Sequence, residues 1–204
     1  ISRTAKLHSR QATPMSCNSH FKKPEFTRRE LIVAALAVAG TPVSAWAASA
    51  PTEVRSELAG AQLLGQGRLR FFGLHIYDAA LWSAASAPEL SLDAHALGLE
   101  LRYARNLDGA AIAERSLKEM QRVGEVSAEN GERWLQDMQR LFPDVKAGDR
   151  LTGIHRPGEA ARFYLNGTLR GEVRDAAFTN LFFSIWLSPR TSQPQLRLAL
   201  LGRA

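Results

Sequence analysis

Cysteine is nearly absent from this sequence: among 204 residues only Cys17 occurs, close to the amino end. The rest of the chain therefore has no disulfide to brace it and no thiol pair for metal or redox chemistry. Histidine is almost as sparse. His75 and His155 have no second His or Cys at ligand spacing, so no metal site is expected. Neither Ser116 nor Ser184 has a Gly-x-Ser-x-Gly setting, which leaves hydrolase chemistry without its nucleophile context. Gly65-Gln66-Gly67 lacks the third glycine and the helix start of a dinucleotide fingerprint. No cofactor is implied, and no repeat of solenoid period is visible.

An uninterrupted apolar run of membrane-spanning length is missing too. The stretch from Leu31 is broken by Gly40, Thr41 and Pro42, short of the roughly 18 to 20 residues that a span requires. Its flanks carry the message instead. Lys22, Lys23, Arg28 and Arg29 precede it and Ala45-Trp46-Ala47 follows, the basic, apolar, small-residue order of a signal peptide cut between Ala47 and Ala48. Arg28-Arg29, after Thr27 and shortly before Leu31 and Ile32, resembles the twin-arginine motif, an address read by a receptor. An ordinary secretory leader also accommodates two arginines. The chain opens on Ile1, and Met15 is a candidate start. The expectation is a leader over 1–47 and one domain over 48–204, with export machinery as a passing partner. The domain is expected in the periplasm or secreted, without a permanent membrane span.

Charge follows the same division. The whole chain has 26 Lys and Arg against 20 Asp and Glu, but the leader holds seven of the former and two of the latter. The remainder keeps 19 and 18, a net of +1. Nucleic-acid binding needs a basic surplus gathered on one face, and none survives processing. A domain of 157 residues can nonetheless stand on packing alone, since a chain near that size buries roughly two-thirds of its unfolded surface.

Residues 48–51 read as an irregular lead-in, with the domain proper starting near Glu53. Gln62 to Trp82 is rich in Leu, Phe, Ile and Tyr without a helical period, and reads as two strands or one long bent strand. Leu97, Leu99, Leu101 and Tyr103 alternate with Gly98, Glu100 and Arg102, the pattern of a half-buried strand. Asp108 is placed to cap a helix with Ile112, Ala113, Leu117, Met120 and Val123 on one face, ending with Gly124 at C′. A second helix is predicted over 128–141, stopped by Pro143. Strands return at 151–155, 162–165 and 168–173, with Asn166-Gly167 a strong hairpin signal. Asp175 caps a third helix carrying Phe178, Leu181, Phe182, Ile185 and Trp186, and a last short helix has Pro194 in its first turn. The sum is an α+β fold, an antiparallel sheet with helices gathered on one face.

Five segments in this order resemble the chalcone isomerase-like proteins of bacteria: Gly67 to Tyr77, Gly109 to Met120, Phe142 to Asp149, Phe163 to Gly167, and Phe182 to Pro189. The resemblance covers roughly residues 53–203. It implies an open-faced β-sandwich with a cleft between sheet and helices. In the plant isomerases that cleft takes a flavonoid precursor, and related non-catalytic members bind fatty acids. The plant enzymes place an arginine, a threonine, a tyrosine, an asparagine and a further hydroxyl there. By alignment those places fall here on Gly60, Phe72, Ile112, Glu119 and Arg174. Without the arginine and hydroxyls, the electrostatic stabilisation that ring closure needs is missing, so the resemblance implies greasy walls, no oriented positive charge and no catalytic residues.

The ligand-binding candidates are Arg70, Phe72, Tyr77, Tyr103, Ile112 and Glu119. Phe71 and Phe72 fall on opposite faces of an uninterrupted strand, and Arg68 and Arg70 share the Phe72 face, where either can meet a ligand carboxylate. Each has a plainer reading: a solvated sheet face for the arginines, core packing for the aromatics, and an exposed surface carboxylate for Glu119. The expected function is non-catalytic binding of a small apolar or amphiphilic molecule such as a fatty acid. Two alternatives stand beside it. One is an isomerase or lyase with Glu119 and a tyrosine as acid and base; the other is an envelope interaction module with an exposed apolar patch.

Overall fold

The computed structural model describes residues 49–87 and 90–203. Arg28, Arg29, Ala47 and Ala48, and with them the proposed leader and its cleavage point, lie outside the described residues. The described residues belong to one compact unit.

Six strands make a single antiparallel sheet in sequence order: β1 Gln62–Phe71, β2 Leu74–Ser83, β3 Leu97–Tyr103, β4 Arg150–Arg156, β5 Ala160–Leu165 and β6 Thr168–Val173. Side-chain alternation divides the strands between two apolar clusters. Tyr77, Ala79 and Leu81 of β2 and Ala161 and Phe163 of β5 face the main core, whereas Ala80, Trp82, Ile154 and Tyr164 point the other way. The main face is covered by α2 Gly109–Val123, α3 Ala128–Leu141, α4 Ala176–Leu187 and α5 Pro194–Leu200. This is the open-faced sandwich the sequence suggested. Its centre is aromatic: Phe142, Phe163, Phe178, Phe182 and Trp186 touch in a chain with ring centroids 5.0–6.4 Å apart, edge to face in every pair along that chain but Phe178–Phe182, which is stacked.

Two helices start where the sequence places their caps, at Asp108 and Asp175, and α3 starts at Ser127. Asp108 accepts a hydrogen bond from the Ala111 amide at 2.9 Å, Ser127 from Asn130 at 3.2 Å, and Asp175 from Phe178 at 3.0 Å, each satisfying an orphan first-turn donor. The end of α2 differs from expectation. Gly124 has φ −156°, extended and not left-handed, so it is not a C′ cap; a Cβ there would lie 2.2 Å from Leu181 Cδ2. The glycine lets α2 and α4 meet without displacing the Leu181 side chain. Gly65, discounted as a nucleotide fingerprint, has a similar role: a Cβ would stand 2.1 Å from the Ala199 carbonyl of α5.

A short helix, α1 Thr52–Glu57, was not anticipated. It lies on the second face of the sheet, with Val54 and Leu58 against Ala80, Trp82 and Ile154. Polar bonds hold it down. Glu53 accepts from Thr152 Oγ1 at 2.7 Å and from Arg150 Nε and Nη2, both at 3.1 Å. Glu57 sits among Arg156, Arg162 and Tyr164. Burial raises the Glu57 carboxyl, but bonds from Tyr164, Arg156 and Arg162 outweigh it and leave the group below its ordinary range. This cover explains a second departure. In β3, read as half-buried, every residue except Arg102 is buried, and Glu100 is paired beneath it with Trp82 Nε1 at 3.3 Å and Arg102 Nη2 at 3.4 Å. Among the described residues no helix is long and apolar enough to cross a membrane.

Candidate functional site

Between the sheet and α2 and α4 the packing leaves a cavity of about 280 Å³. Its walls are mostly hydrocarbon and aromatic. Leu69, Phe71, Ile76 and Leu101 come from the strands, Ile112 from α2, and Phe142, Phe182 and Trp186 from the far side. Sheet alternation aims Leu69 and Phe71 inward together, and helical periodicity aims Ile112, Arg115, Ser116 and Glu119 the same way, at positions i, i+3, i+4 and i+7.

The polar atoms are few and mutually arranged. Arg115 Nη2 lies 2.6 Å from Glu119 Oε1, and Arg122 Nε lies 3.4 Å from Glu119 Oε2. Two guanidinium groups therefore share one carboxylate, and the cluster keeps a net positive charge. Arg115 also stacks 5.5 Å from the centre of the Phe71 ring. On the opposite wall Tyr77 accepts a hydrogen bond from Trp186 Nε1 at 2.9 Å. Among the described residues the Tyr103 hydroxyl makes no hydrogen bond, while its ring meets Tyr77 edge to face at 5.8 Å. Burial drives both phenols far above their ordinary range, and the Glu119 charge pushes Tyr77 further while Trp186 and Arg115 oppose it. Both hydroxyls stay protonated and can donate. Ser116 Oγ is already committed to the Ile112 carbonyl at 2.8 Å.

Of the six residues proposed from sequence, Tyr77, Tyr103, Ile112 and Glu119 line this cavity. Phe72 and Arg70 do not. Phe72 is no strand residue: it begins the two-residue turn between β1 and β2, with φ +47° and 90 % of its surface exposed. Its neighbour Phe71 takes the cavity position. Arg70 points to solvent and, among the described residues, donates only to the Gly73 carbonyl, at 3.4 Å. Glu119, read as a surface carboxylate, is 6 % exposed, because α2 turns it inward between its two arginines.

The expectation of a cavity without positive charge is also corrected, by Arg115. Nothing in the alignment pointed to this residue, yet it lies between Ile112 and Glu119 on the same helical stripe. Extending the helical face from those two would have found it. Three of the five aligned places fall away from the cavity altogether. Gly60 lies in the turn after α1 with nothing within 4 Å of a Cβ, Phe72 is in its hairpin turn, and Arg174 is exposed and paired with Glu172. His155, on β4, is buried against Phe183 and bonded to Asn180 at 3.2 Å. Burial lowers its pKa, and among the described residues no cluster suited to a metal forms.

A six-stranded antiparallel meander with a cavity under its helical layer is one arrangement, and sequence comparison decides whose it is. The family model described as chalcone isomerase-like matches residues 46–202. The chain belongs to the chalcone isomerase-like family. A chalcone isomerase-like fold is also what comparison with solved structures shows. The crystal structure of a fatty-acid binding protein from Arabidopsis thaliana superposes with a TM-score of 0.60, covering 76 % of this chain and 90 % of that one at 14 % identity. An uncharacterized protein of Haemophilus influenzae is 28 % identical over 142 residues, 70 % of this chain and 68 % of that protein.

Proposed function

We infer that this chalcone isomerase-like domain is a non-catalytic binding protein, exported to the cell envelope, whose cavity takes an acyl amphiphile with an anionic head, such as a fatty acid. The observation that carries the reading is the composition of the cavity wall: hydrocarbon and aromatic rings nearly throughout, with Arg115 on one side and two phenol donors on the other. An acyl chain replaces water against those rings, and burial is worth roughly 25 cal/mol per Å². A carboxylate gains charge-assisted bonds from Arg115, whose cluster retains positive charge after Glu119 is counted. The fatty acids bound by the Arabidopsis thaliana protein of the same fold support that choice of ligand.

Ring closure of a chalcone is not expected from this arrangement. Of the places where the plant enzymes carry an arginine and hydroxyls, Gly60, Phe72 and Arg174 lie away from the cavity and Ile112 is apolar, so the donors that would meet the oxyanion are missing from those places. One observation favours a second reading as an acid–base enzyme. Glu119 is buried in the same cavity as two protonated phenols, and among the described residues its Oε2 makes no hydrogen bond beyond the 3.4 Å ion pair with Arg122.

Displacement of a fluorescent fatty acid from the full chain tests the first reading. Ile112→Trp, which fills the cavity, should weaken binding roughly tenfold or more. Arg115→Leu should weaken binding of the acid but leave that of the corresponding alcohol nearly unchanged. Absence of affinity for any acyl chain, or full affinity in Ile112→Trp, overturns the reading. Turnover of an added chalcone above its spontaneous rate would favour the enzyme instead.

A further inference from the structure

The turn between β1 and β2 is built from an unexpected residue. Phe71 pairs with Leu74 across it, leaving Phe72 and Gly73 as the two central residues with φ +47° and +78°. That left-handed conformation favours Asn, Asp or Gly, and a bulky side chain occupies it at a cost. Packing does not offset the cost. Phe72 touches one ring, Phe71 at 4.5 Å, and is 90 % exposed. Its neighbours on the tip, Phe71 at 45 % and Leu74 at 53 %, are exposed as well. Unrepaid backbone strain beneath an exposed aromatic is an observation from which function is argued.

We propose that this hairpin tip is a membrane-docking element that inserts Phe72, with Phe71 and Leu74, into the interface of an anionic lipid bilayer. Charge and size both favour that occupant. Among the described residues Arg70 has only a backbone carbonyl as partner, while Arg68 beside it is exposed and paired with Asp78, and Arg115 over Phe71 is paired with Glu119, so three arginines against two carboxylates leave the apolar tip with a positive surplus. Aromatic tips with adjacent arginines suit the headgroup region of an anionic membrane. Weighted by their exposure, two aromatics of roughly 150–250 Å² each and one leucine offer less than about 500 Å², one partner's share of the roughly 1,000 Å² total that a specific protein interface needs. Phe71 is at once part of the tip and part of the cavity wall. The cavity thus opens beside the docking element, and, resting on the function inferred above, an amphiphile passes between bilayer and cavity without crossing bulk water.

Cosedimentation of the full chain with phosphatidylcholine–phosphatidylglycerol vesicles tests this. Phe72→Asn keeps the turn, since asparagine tolerates its backbone conformation, and removes the inserted ring. The expected result is a loss of roughly tenfold in partitioning, persisting at 0.5 M salt, where binding through the basic leader shared by all variants is screened. Arg70→Gln should lower partitioning by about threefold, at low salt only. Equal partitioning of Phe72→Asn and the parent chain overturns the proposal. So does a parent chain that self-associates in sedimentation velocity, with that association alone lost in Phe72→Asn, because the tip then meets a second copy. Vesicle binding and fatty-acid affinity are read separately. Loss of the second in the parent chain with the first intact would sink the ligand reading and leave the docking element standing.

Discussion

Two hairpins in this sheet make the same turn with opposite chemistry. Phe72-Gly73 joins β1 to β2 at φ +47° and +78°, and Asn166-Gly167 joins β5 to β6 at φ +51° and +88°. The asparagine is fully employed by its own fold. Its Oδ1 accepts from the Arg150 amide at 2.8 Å and its Nδ2 donates to Asp149 at 3.0 Å. Arg150 in turn clasps Glu53 of α1, so that turn is tied through one arginine to the helix on the sheet's second face. The phenylalanine has no such ties. A position filled against backbone preference, with nothing inside the chain to offset it, is where a use outside the chain is to be sought.

Substitutions can sharpen or break the contrast. The largest effect should come from Glu53→Ala, which strips the buried partner from Arg150 and Thr152 beneath the braced turn; a loss of about 3 kcal/mol is expected in urea denaturation. Asn166→Ala removes two hydrogen bonds and places a side chain unsuited to positive φ, costing about 1.5 kcal/mol. That cost depends on pH. The Asn166 bond and the Lys146 amide hold Asp149 below its ordinary 3.8, so the stabilisation is complete above that value and fades as pH falls through the lower folded-state value. The gap between parent and Asn166→Ala should therefore narrow in acid. The smallest effect has the opposite sign: Phe72→Asn should stabilise by about 1 kcal/mol, a rise of roughly 2–4 °C in Tm. If that variant is instead less stable, Phe72 serves the fold and the contrast disappears.

Much of the sheet was legible in the sequence because its hairpins use ordinary signals. Asn166-Gly167 and the caps Asp108 and Asp175 all announce local geometry through short-range bonds. Phe72 was misplaced for the same reason inverted, since Phe-Gly is not a turn pair that propensity recognises. β3 shows another limit. Alternation of Leu with Glu100 and Arg102 reads as one wet face, and only the long-range contact of α1 makes Glu100 a buried, paired group, its carboxyl raised by burial against the pull of Arg150 and Arg102. α1 itself has six residues, too few for periodicity to speak. In the candidate site the apolar walls and the tyrosines were readable from strand patterning. Arg115 is none of the aligned places, and only the helical stripe linking Ile112 to Glu119 points to it.

The space under α2 is either a binding site for an amphiphile or an idle packing fault. Native mass spectrometry of the full chain, purified without delipidation and then offered palmitate, measures this directly. The account predicts one acyl adduct per chain, lost in Ile112→Trp while the protein keeps its fold. A bare mass that stays bare after palmitate is added would contradict it.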